Sequence, residues 1–160
     1  MGLLAAGSAG AFDPTKYEGV WTGTWKNRTF KVEGPMQATV TVADDATTMA
    51  VDWNITGLFN CGGAAAVRTL VSGTDFTAEA LNFTATNASW GDAVVTSETK
   101  KKVEKVSVSG TTPCNTSIES WSVKAKLKDD KLKGKMKIVF ATGSPKRART
   151  TFLVTKAVAQ

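Results

Sequence analysis

The sequence predicts an all-β fold: an antiparallel up-and-down β-barrel of about 8–10 strands, with a short N-terminal hook and little or no helix. Three observations carry this. Beyond Tyr17, threonine, valine and aromatic residues recur with a period of two. Turn-forming residues interrupt that alternation at short intervals. No segment sustains the 3.6-residue apolar period of a helix. Alternation gives the sheet one apolar and one polar face, and closure into a barrel removes its exposed edges.

The elements follow in order. Asp13-Pro14 starts the hook, because proline fixes its own φ and restricts the residue before it. Trp21, Gly23 and Trp25 share one face of the first strand. Met36, Ala38, Val40 and Val42 share a face of the second, and Asp44-Asp45 marks a turn. Met49, Val51, Trp53 and Ile55 alternate in the third, which ends near Gly57. After the break at Cys61-Gly62-Gly63, strands are expected over Ala64–Val71, Phe76–Phe83 and Asn87–Thr99. Turns are expected at Ser72-Gly73-Thr74-Asp75 and, within the last of these strands, at Gly91-Asp92. Val103, Val106 and Val108 lead into the turn Gly110-Thr111-Thr112-Pro113. The clearest meander closes the chain. Trp121, Val123, Ala125 and Leu127 alternate with serine and lysines, Asp129-Asp130 turns, and Leu132, Gly134, Met136, Ile138 and Phe140 alternate with four more lysines. Gly143-Ser144-Pro145 turns again before a last strand from Arg149 to Lys156.

With 160 residues, no repeat and no linker, residues 12–160 are expected to form a single domain with its own core. Residues 1–11 read as a signal-peptide remnant or a flexible leader. Ala9-Gly10-Ala11 matches a small-residue cleavage pattern, which places a mature start at Phe12 and the protein in a secreted or periplasmic setting. Mean hydropathy is −0.11, and no apolar run approaches the roughly 18–20 residues of a membrane helix. In an exported protein Cys61 and Cys114 are expected to pair, which would stabilise by about 4 kcal/mol; two buried thiols are the alternative. Asn27, Asn54, Asn82, Asn87 and Asn115 each start an Asn-x-Ser/Thr triplet. Such triplets are glycan acceptors in a secreted eukaryotic protein, and also arise by chance in a threonine-rich β chain.

The chain contains no histidine, which excludes serine–histidine and cysteine–histidine nucleophile systems and the commonest metal ligand. No metal site, phosphate loop or dinucleotide motif is present, so no cofactor is expected. Asp44-Asp45 and Asp129-Asp130 are read as turns rather than catalytic pairs. A lone Asp, Glu, Lys or Tyr17 inside the barrel remains compatible with an enzyme of cyclase or isomerase type.

Net charge is +6, concentrated in Lys100-Lys101-Lys102 with Lys105 and in the stretch Lys124 to Lys137. The second stretch is either a solvated strand face or a contact for an anionic surface. Nucleic acid is not an expected partner, because the lysines lie on the face opposite the aromatic residues and stacking cannot converge with charge.

The run Phe12-Asp13-Pro14-Thr15-Lys16-Tyr17-Glu18-Gly19-Val20-Trp21 resembles the N-terminal signature of the lipocalins. The resemblance implies a lipocalin-like or calycin-like barrel, here a divergent bacterial exported one, that holds a small hydrophobic ligand without catalysis. It also implies structural roles for Gly19 and for Trp21, with Arg147 or Arg149 stacked over the indole at the closed barrel end. Trp25, Val40, Trp53, Trp121, Met136, Ile138 and Phe140 are the expected lining of the interior. A filled barrel serving as an envelope or assembly protein is a further alternative.

Overall fold

Pro14 has no amide hydrogen to leave unpaired and its φ is preset, so it opens the 3₁₀ turn Pro14–Tyr17, which the Glu18 amide closes by donating to the Thr15 carbonyl at 3.2 Å. In the computed structural model, residues 14–44, 48–55, 67–72, 80–86, 93–100, 103–111 and 115–158 are described. They hold ten antiparallel strands: β1 Gly19–Asn27, β2 Val32–Val42, β3 Thr48–Asn54, β4 Val67–Ser72, β5 Ala80–Thr86, β6 Ala93–Lys100, β7 Val103–Gly110, β8 Ile118–Lys128, β9 Lys131–Phe140 and β10 Arg147–Lys156. Each strand pairs with its sequence neighbours, and β1 pairs with β10, closing the barrel. Among the described residues there is no α-helix, and no helix is long and apolar enough to cross a membrane.

The alternation read from the sequence is the inside–outside pattern. Trp21 and Trp25 of β1, Met36, Ala38, Val40 and Val42 of β2, and Met49 and Val51 of β3 are buried. So are Trp121, Ala125 and Leu127 of β8, Met136 and Ile138 of β9, and Ala148, Phe152 and Val154 of β10. Together with Tyr17 and Ile118 they form one core. The β8–β9 hairpin turns on Asp129 and Asp130, whose φ values of 49° and 57° match the two-residue turn that suits strand twist.

Two expectations shift: Ser72, expected in a turn, belongs to β4, and the fifth strand continues past Phe83 to Thr86. The expected strand residues 64–66, 76–79 and 87–92 lie outside the described residues. In the register Ala80 faces Glu98 and Ala85 faces Ala93. Residues 1–11, Cys61, Cys114, Trp90, and the expected turns at 73–75 and 91–92 lie outside the described residues.

Asn27 is 3% exposed, and its Oδ1 accepts the Thr29 and Phe30 amides at 2.9 and 3.0 Å. Asn115 Oδ1 accepts the Ser117 amide at 3.1 Å. Both triplets therefore serve turns, where asparagine replaces a backbone acceptor.

Candidate ligand-binding interior

One barrel end is built from the hook. Gly19 has φ +122°, a conformation side chains disfavour, and this lets the chain turn from the hook into β1. Trp21 then lies 6.4 Å from the Tyr17 ring, tilted by 36°, and its indole N–H donates to the Tyr17 carbonyl. The register brings Lys156 directly opposite Trp21, and its Nζ stands 5.9 Å from the indole centroid. The same Nζ donates to the Lys16 carbonyl at 3.3 Å.

This corrects the expected partner of Trp21. Arg147 and Arg149 are exposed and pair with Val139 and Lys137 at the start of β10, the far end of that strand. The Arg149 amide donates to Thr29 Oγ1 at 3.0 Å, beside the β1–β2 turn. An antiparallel β1–β10 seam sends the two ends of β10 to opposite barrel ends, so only the C-terminal cation reaches Trp21.

The seven expected lining residues all belong to the core or pack against it. Trp25, Val40, Trp121, Met136 and Ile138 are buried; Trp53 and Phe140 are half-buried. Trp121 faces Ile138, and Ile118 faces Phe140, across the β8–β9 ladder. These four sit toward the barrel end opposite the hook, whereas Trp53 faces Ala38, which in turn faces Trp21. Val40 stands apart, nearer the hook, between Gly19 and Val51. Phe140 is met edge-on by Phe30 at 5.9 Å, and Phe30 is 48% exposed.

Two aromatic side chains reach across to glycines on the neighbouring strand. Trp25 is paired with Gly34, and a Cβ built on Gly34 would lie 3.0 Å from the indole. Phe152 is paired with Gly134, and a Cβ there would lie 2.2 Å from the ring tip. Each ring covers the glycine directly across the ladder. A ring seated on its neighbouring strand runs along the wall rather than across the lumen.

Polar groups also reach this interior. Thr150 is 1% exposed and Glu104 is 3% exposed, both on inward faces. The Trp121 N–H donates to the Thr111 carbonyl at 2.9 Å. By contrast, Trp25 Nε1 and Thr150 Oγ1 are buried without a hydrogen-bond partner among the described residues. They are diagonal neighbours on the β1–β10 ladder, because Trp25 faces Phe152 and Asn27 faces Thr150. Among the described residues no three His, Cys, Asp or Glu side chains cluster as metal ligands.

Sequence reasoning missed Glu104, Thr150, Lys156 and the two glycine seats. Gly134 carried a usable signal: a glycine on the apolar face of a central strand marks a close approach. The Val103, Val106, Val108 pattern changes phase, which concealed that Glu104 points inward with Val106 and Val108.

No family model matches the chain. No curated protein matches it either. Among solved structures, the chain is similar to the crystal structure of Rv2717c from M. tuberculosis. The TM-score is 0.61 at 10% identity, covering 90% of this chain and 94% of the other. At that identity the similarity establishes a shared barrel-like fold.

Proposed function

We propose that this protein is an exported, non-catalytic, lipocalin-like barrel that holds a small hydrophobic molecule in its interior. The observation that carries the reading is the seating of Trp25 on Gly34 and Phe152 on Gly134. Eight strands already make a barrel just wide enough to be filled by side chains or to hold one small ligand, and ten make a wider one. Bulky residues laid along the wall of such a barrel leave its axis to a guest. Trp25, Trp53, Trp121, Met136, Ile138 and Phe140 supply flat or flexible apolar contact, with Val40 deeper toward the hook. Burying about 300 Å² of apolar ligand surface supplies on the order of 7 kcal/mol before ordering losses. The Trp25 N–H and Thr150 hydroxyl offer a polar tip on such a guest two partners.

Native mass spectrometry of the purified protein, followed by denaturing extraction, tests this. A stoichiometric apolar adduct is expected. An unliganded mass, with tryptophan emission and melting temperature unmoved by saturating retinol, palmitate or anilinonaphthalene sulfonate, would overturn it.

A cyclase or isomerase acting on an apolar substrate is a second reading, favoured by Glu104, an ionisable group buried on an inward face. Glu104→Gln separates the two: a container keeps its extractable ligand, whereas an enzyme converts a bound compound only with the carboxyl present.

A further inference from the structure

We propose that the outer face of the β8–β9 hairpin is a docking surface for anionic lipid bilayers. Lys124, Lys126 and Lys128 occupy successive outward positions of β8, and Lys131, Lys133, Lys135 and Lys137 those of β9; all seven are exposed. The register sets lysine directly against lysine three times: Lys124 with Lys135, Lys126 with Lys133, and Lys128 with Lys131. Lys105 of β7 stands opposite Lys126, and Arg149 of β10 stands opposite Lys137, widening the face to four strands.

Like charges directly opposite each other destabilise a sheet. None of these seven lysines makes an ion pair among the described residues, whereas Lys26 pairs with Glu33 at 3.2 Å. The acidic groups lie at its borders. Asp129 and Asp130 form the turn beyond Lys128 and Lys131, Glu119 lies at the far end of β8, and Glu98 stands opposite Lys105 in the register.

Two ordinary reasons for surface lysine do not apply. Lysines guard sheet edges against mispairing, but β8 and β9 are central in a closed barrel and have no free edge. Solubility is served by interspersed signs, whereas this face is unbroken in one sign over seven positions.

Lysine is a compact, rotatable charge that suits an array of phosphate headgroups without fixed geometry. Along β9 the four lysines span about 20 Å at strand rise, so several headgroups can be met at once. Leu153, 46% exposed opposite Lys133, adds one apolar side chain within the charged field. A nucleic-acid duplex fits less well. A two-stranded ribbon can enter a major groove only when free on both sides, and this one is embedded between β7 and β10. No arginine or aromatic residue occupies an outward position between Ser122 and Lys137 to read or stack on bases. This proposal stands apart from whatever the interior holds.

The test is cosedimentation of the 160-residue protein with phosphatidylcholine vesicles, with and without phosphatidylglycerol. Binding is expected only with phosphatidylglycerol, and it weakens as salt shortens the range of the attraction. Each lysine near such a surface contributes roughly fivefold. K131Q/K133Q/K135Q/K137Q should therefore bind roughly 600-fold more weakly, with tryptophan emission retained and a melting temperature no lower than the parent's. K124Q/K126Q/K128Q repeats the test on the facing strand. K16Q/K26Q/R28Q/K31Q, an equal charge change elsewhere, should lose less than about tenfold. The proposal is overturned by absent binding to phosphatidylglycerol vesicles at low salt, by equal losses in the face and control variants, or by tighter binding to duplex DNA than to the vesicles.

Discussion

Gly134→Ala tests the packing on which the container reading rests. A Cβ at this position would stand 2.2 Å from Phe152 Cζ and 2.4 Å from Cε1. Ordinary contact begins near 3.4 Å, so the ring tip must retreat by about 1.2 Å (3.4 − 2.2). Phe152 is 7% exposed within the core, and the wall blocks retreat outward, so the ring must swing toward the barrel axis. Overpacking of this kind typically costs about 1–3 kcal/mol. For a domain of this size that lowers the melting temperature by roughly 3–10 °C. The swung ring also takes up lumen, so the capacity for an extractable ligand should fall together with stability. Thermal denaturation followed by circular dichroism reads the first effect, and native mass spectrometry reads the second. Phe152→Leu loses apolar contact alone but has no ring tip to collide, so the double variant should be less destabilised than the two single losses added, a favourable coupling of about 1 kcal/mol or more. Additive losses, or an unchanged melting temperature in Gly134→Ala, would show that Phe152 does not sit on Gly134.

Lys156→Met removes the cation 5.9 Å from Trp21 while keeping most of the apolar stem; a loss of about 0.5–1 kcal/mol and a shift in Trp21 emission are expected, whereas Arg147→Ala and Arg149→Ala leave that emission unchanged. Asn27→Ala deletes the buried side-chain acceptor of two amides of the β1–β2 turn and should lower stability by about 1–3 kcal/mol in chemical denaturation, with Asn27→Asp largely restoring it. Lys133→Glu places opposite charges across the ladder from Lys126 and should raise the melting temperature at low salt by roughly 1–3 °C, an increment that high salt removes.

The hairpin Trp121 to Phe140 was legible in full because its signals are local. Lysine alternates with apolar residues on both arms, and Asp129-Asp130 supplies the turn chemistry between them. The middle of the chain was less legible. Ala64 to Val71 offers small residues of little contrast, and the place of Ser72 in β4 rather than in a turn follows from its pairing with Thr48. The lining residues could be chosen from alternation alone, since inward and outward differ by a single phase. Their division between the two barrel ends is not a local property: Val40 and Trp53 stand in the rows of Gly19 and Trp21, while Trp121, Ile138 and Phe140 lie toward the opposite end.

Period-two alternation is a property of neighbouring residues, and it specified the all-β class, the inward aromatic residues and the outward lysines before any contact was known. Barrel closure through β1 and β10 is a property of residues more than a hundred positions apart. It selected Lys156 rather than either arginine as the partner of Trp21 and set Trp25 beside Thr150. The registers of consecutive strands seated Trp25 and Phe152 on glycines, set Glu104 against Leu127 and stacked lysine against lysine. Each of these depends on register, and register is set by how whole strands dock, so a shift of one residue would reverse every face without altering the local pattern.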